Sequence, residues 1–60
     1  MNPDEYKAYQ KDIENYIEAR KWYRDRVTNN IATEEDKLKV DKCRDLAVKA
    51  RAAGVTSPSF

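Results

Sequence analysis

Two pairs of carboxylates stand four residues apart, Glu14 with Glu18 and Asp41 with Asp45. On a helix that spacing puts each pair on one face, where two acids could share general acid–base work or hold a cation. Such pairs recur in any acidic helix, and the groups that would complete an active site are few. The sequence has no His, one Cys and one Gly. There is no imidazole, no paired thiol and no glycine-rich phosphate loop, so a nucleophile would have no base beside it. Neither catalysis nor a metal or other cofactor is expected.

Binding chemistry is better represented. Residues 20–26 read Arg-Lys-Trp-Tyr-Arg-Asp-Arg, a mixture of cations and aromatics that suits nucleic-acid contact. On a helix, Arg20, Lys21 and Arg24 group on one side while Trp22 and Arg26 lie on another. Trp22 is the most informative residue. At about 100° per residue it projects away from the apolar seam described below, among Asn15, Glu18, Ala19 and Arg26. It is either a lone aromatic lying over an alkyl stem or an anchor for another protein chain, since Trp and Arg dominate interface hot spots. The candidate partner-binding set is therefore Asn15, Ala19, Trp22 and Arg26. The alternative, for nucleic acid, is Arg20, Lys21, Arg24 and Arg26. Cys43 reads first as a small apolar residue on a packed face and second as a redox-active or cross-linking thiol.

The elements that must carry these residues are helices. Asn2 can cap, Pro3 suits a first helical position, and Asp4 and Glu5 follow where the helix dipole favours carboxylates. Thr33 starts a second helix in the same way, followed by Glu34, Glu35 and Asp36. Asn29, Asn30 and Gly54 supply left-handed stops, and Pro58 lies beyond the second. The spacing predicts helices over 3–28 and 34–53, a loop at 29–33 and a flexible tail at 54–60. Tyr6, Tyr9, Ile13, Tyr16, Arg20, Tyr23 and Val27 form a heptad seam with Arg20 as its polar member. Arg20 would send its head to solvent or pair with Glu35 or Asp36. The facing seam is small: Cys43, Leu46, Ala47, Ala50 and Ala53, with Leu38 and Val40 at its start. A short loop makes the helices antiparallel, with Tyr16 near Leu46, Ile13 near Ala50 and Tyr9 near Ala53. Val55 or Phe60 would cover the overhanging Tyr6.

The fold class is therefore all-α, an antiparallel two-helix hairpin in one domain. At 60 residues it buries little apolar surface, so a homodimer forming a four-helix bundle is expected. No apolar run exceeds three residues, so no membrane span is expected. The opening Met-Asn-Pro-Asp-Glu does not read as an export signal, and with one Cys it points to the cytoplasm. A formal net charge of +1, although 38% of residues are charged, gives no global attraction to nucleic acid. The expected function is a small non-enzymatic protein-binding module: an adaptor, inhibitor or assembly factor docking a helical face on a larger protein. Size alone suits a phage or mobile-element accessory protein. The alternative is a dimeric nucleic-acid-binding regulator, in the architecture that small plasmid regulators use to bind RNA as hairpin dimers.

Overall fold

The computed structural model describes residues 1–56. Its regular elements are two helices, α1 (Pro3–Thr28) and α2 (Glu34–Ala52), and no strand occurs among the described residues. Both helices start where the residue types demand. The Asn2 side chain accepts the Glu5 N–H at 2.8 Å, with Pro3 in the first turn and Asp4 and Glu5 beside the free amides. Thr33 and Asp36 cap α2 reciprocally. The Asp36 N–H donates to Thr33 Oγ1 at 3.2 Å, and the Thr33 N–H donates to Asp36 Oδ2 at 3.1 Å.

Both helices stop by one device. After α1, the Ile31 N–H reaches back to the Arg26 carbonyl at 3.0 Å and the Asn30 N–H to the Val27 carbonyl at 3.1 Å. After α2, Val55 bonds the Ala50 carbonyl at 3.2 Å and Gly54 the Arg51 carbonyl at 2.9 Å. Each pair is a Schellman motif, which needs one left-handed residue. Asn30 supplies it at φ 60° and Gly54 at φ 92°. The second motif places the cap at Ala53, so α2 ends one residue short of the expected 34–53.

The helices pack side by side in a body 42 × 20 × 16 Å. Its length matches the roughly 39 Å that the residues of α1 span at 1.5 Å each. Ile13, Ala47, Ala50 and Val55 form the buried core, and Tyr9, Tyr16 and Ile17 pack against it. Bulky tyrosines thus lie over small alanines, and Ile13 meets the Ala50 region as expected. Three expectations need correction. First, Leu46 is 49% exposed and Ala53 is also exposed, so neither Tyr16–Leu46 nor Tyr9–Ala53 is a core pair. The inward line of α2 is Asp36, Val40, Cys43, Ala47 and Ala50, spaced 4, 3, 4, 3; the regular period prevails over the larger but misplaced Leu38 and Leu46. Second, the seam of α1 does not stay on Arg20 and Val27, which are exposed, but turns to Ala19, Tyr23 and Arg26. The steps Tyr16, Ala19, Tyr23 and Arg26, spaced 3, 4, 3, keep a helical period while leaving the line through Arg20 and Val27. Third, Tyr6 stays 38% exposed, and Val55, expected as its cover in a flexible tail, is folded by its backbone bond to Ala50 into the core, where it is fully buried. Phe60, the other candidate, lies outside the described residues. No helix among the described residues is long and apolar enough to cross a membrane.

Candidate functional site

The drift of the seam divides the second half of α1 between two uses. On the side turned to α2, Arg26 is committed to the hairpin. Its Nε donates to Asp36 Oδ2 at 2.6 Å, and its Nη2 donates to the Ile31 carbonyl at 3.4 Å. Asp36 is buried on the inward line of α2. Burial pushes its carboxyl pKa up, but the Arg26 guanidinium and the Thr33 hydrogen bonds outweigh that and hold it below the ordinary carboxyl value. Arg20, expected to send its head to solvent or to pair with Glu35 or Asp36, is exposed, and Arg26 takes the place beside Asp36.

Trp22 belongs to the same assembly. The Arg26 guanidinium lies 5.0 Å from the centre of its ring, and the Lys39 ammonium, from α2, lies 5.8 Å away. Both are within cation–π range. The ring remains 38% exposed, and its two cations come one from each helix. Of the set expected to bind a partner, Trp22 and Arg26 come together, Ala19 and Arg26 are half-buried, and Asn15 and Trp22 are exposed.

Arg20, Lys21 and Arg24 do come together, and apart from Arg26. With Ile17 they line an open depression of about 330 Å³. The four positions are i, i+3, i+4 and i+7, the set that makes a hole for a knob in helix-on-helix packing. Ile17 is half-buried against the core and forms the apolar part of this lining. Arg20 leans back over Tyr16, with its guanidinium carbon 5.6 Å from the ring centre. Among the described residues, none of these three cations has a carboxylate within ion-pairing distance; the ion pair present there is Arg26–Asp36. The site can therefore receive an apolar side chain surrounded by negative charge. Ile17 and Lys39 were not among the expected site residues. The spacing of 17, 20, 21 and 24 was the available signal for Ile17, whereas Lys39 could be found only once the helices were in register. Cys43 is half-buried on the inward line of α2, next to Val40 and Ala47 in the heptad. No family model, no curated protein and no solved structure matches this chain.

Proposed function

We propose that this protein is a small non-enzymatic binding module, an adaptor, inhibitor or assembly factor, that docks the outer face of α1 on another protein chain. One observation carries the reading: three cations with no carboxylate partner among the described residues surround Ile17 in a depression with the geometry of a helix-packing hole. The partner it suits is a helix with an exposed apolar residue flanked by carboxylates. Trp22 and Arg26, engaged with α2, support the hairpin behind that face. We place the protein in the cytoplasm, where the free thiol of Cys43 stays reduced. Dimerisation into a four-helix bundle belongs to the same proposal, because a core of this size gains from a second copy.

Nucleic acid is the second reading, favoured by the grouping of Arg20, Lys21 and Arg24. Against it stand the net charge of +1, the neighbouring Glu14, Glu18 and Asp25, and a Trp22 ring that already has two cations over it. A titration separates the two. The ligands are a labelled helical peptide, with one leucine flanked by glutamates, and labelled RNA and DNA, each across a salt series. The peptide is expected to bind and to lose tenfold or more in affinity with Lys21→Glu/Arg24→Glu. Tight nucleic-acid binding whose log affinity falls steeply with log salt, with no binding of the peptide, would reject the protein-docking reading.

A further inference from the structure

Resting on the docking reading above, we infer that the helix seated in the Ile17–Arg20–Lys21–Arg24 hole is α2 of a second copy, with Leu38 as its knob. Leu38 is 57% exposed, among the most exposed large apolar side chains of the described residues. Its neighbours one turn away on α2 are Glu34, Glu35, Asp41 and Lys42, three acids to one base. Those acids have no cation within ion-pairing distance among the described residues. The other exposed apolar residues of α2 do not match the hole. Leu46 has Lys42 and Lys49 one turn to either side, and Val48 has Arg44 and Arg51. Either would bring cations against Arg20, Lys21 and Arg24.

The two surfaces cannot meet within one hairpin. Leu38 lies about 160° around α2 from Asp36 and Val40, at about 100° per residue, and so faces away from α1. Among the described residues, each copy therefore carries an unfilled hole on one helix and an unused knob of opposite charge on the other. Intermolecular pairing places an apolar contact at the centre and up to three carboxylate–cation pairs around it. The surrounding charges select this apolar residue over Leu46 and Val48, as e and g charges select partners in coiled coils.

The test uses the full chain in sedimentation and light scattering across a concentration and salt series. Wild type is expected to exceed 7.0 kDa as concentration rises and to return toward it in high salt. Two variants then exchange the charges: Lys21→Glu/Arg24→Glu reverses the hole, and Glu34→Lys/Asp41→Lys reverses the rim of the knob. Each alone is expected to remain a monomer with the helical circular dichroism of wild type, and an equimolar mixture to associate. Leu38→Ala, at an exposed helical position, keeps the fold and is expected to weaken association tenfold or more. The inference is overturned if wild type stays at 7.0 kDa at millimolar concentration in low salt. It is also overturned if association survives both charge reversals and Leu38→Ala, which would place the contact elsewhere, on the tyrosine seam for example. A monomer that still binds the acidic leucine peptide rejects the second copy and keeps the docking reading; a monomer that binds no such peptide rejects both.

Discussion

Asp36 joins the cap of α2 to an ion pair with α1. One carboxylate oxygen accepts from Arg26 of α1 and from the backbone of Thr33, while the Asp36 N–H is held by the Thr33 hydroxyl. Its pKa is lowered in the folded state, so it binds its proton less readily there than in the unfolded chain. A group of this kind contributes stability that is present above its unfolded pKa and lost as pH falls through its folded pKa. The thermal midpoint should therefore fall below about pH 4, near the ordinary carboxyl range. Asp36→Asn should lower the midpoint at pH 7 and reduce the acid-side loss. Melts from pH 7 to pH 2 on both proteins check this, and equal acid-side losses would deny Asp36 the role. The cap was legible in the sequence, because Thr33 and Asp36 stand at capping-box spacing. The Arg26 partnership was not, because residue types alone did not show which arginine the drifting seam would bring to α2.

At the scale of the helix, the two terminators differ in the residue that takes the left-handed turn. Asn30 tolerates it, and Gly54 adopts it without a Cβ. A Cβ at Gly54 would meet open space, so a substitution there tests backbone strain and not crowding. Gly54→Ala should destabilise the hairpin by about 1 kcal/mol, the usual order for a left-handed non-glycine residue. It should also loosen Val55, whose burial depends on that turn. Urea denaturation gives the magnitude; a gain in stability would mean that the entropy lost by the unfolded chain outweighs the strain. Both helices were legible to within a residue, since caps and stops are local chemistry. The inward face of α2 was less so. Asp36 does not look like a core position, whereas Leu38 and Leu46 do, and composition misled where the period did not. The Ile17 hole was visible only in part: its cations grouped on the helix wheel, but Ile17 was not placed among them.

The molecule as a whole is long for its mass. Its radius of gyration is 12.7 Å, against about 10.4 Å for a compact chain of this length. Among the described residues, elongation leaves two sizeable side chains fully buried, Ile13 and Val55. They lie away from the loop, with Ile13 midway along α1 and Val55 beyond the end of α2, while the Arg26–Asp36–Thr33 cluster holds the loop end. This separation has a consequence for how the chain acquires its structure. The loop cluster joins residues ten apart in sequence, and closing such a loop takes roughly 10–100 ns. The Val55–Ile13 region must bring together residues from nearly opposite ends of the chain, at a greater entropic penalty. Folding should therefore zip from the loop outward, with the ion pair formed at the transition state and the apolar core completed after it. Asp36→Asn should mainly slow folding, and Val55→Ala should mainly speed unfolding. Temperature-jump relaxation across a denaturant series separates the two limbs, and the reverse assignment would mean that the tyrosine–alanine core leads and the loop follows.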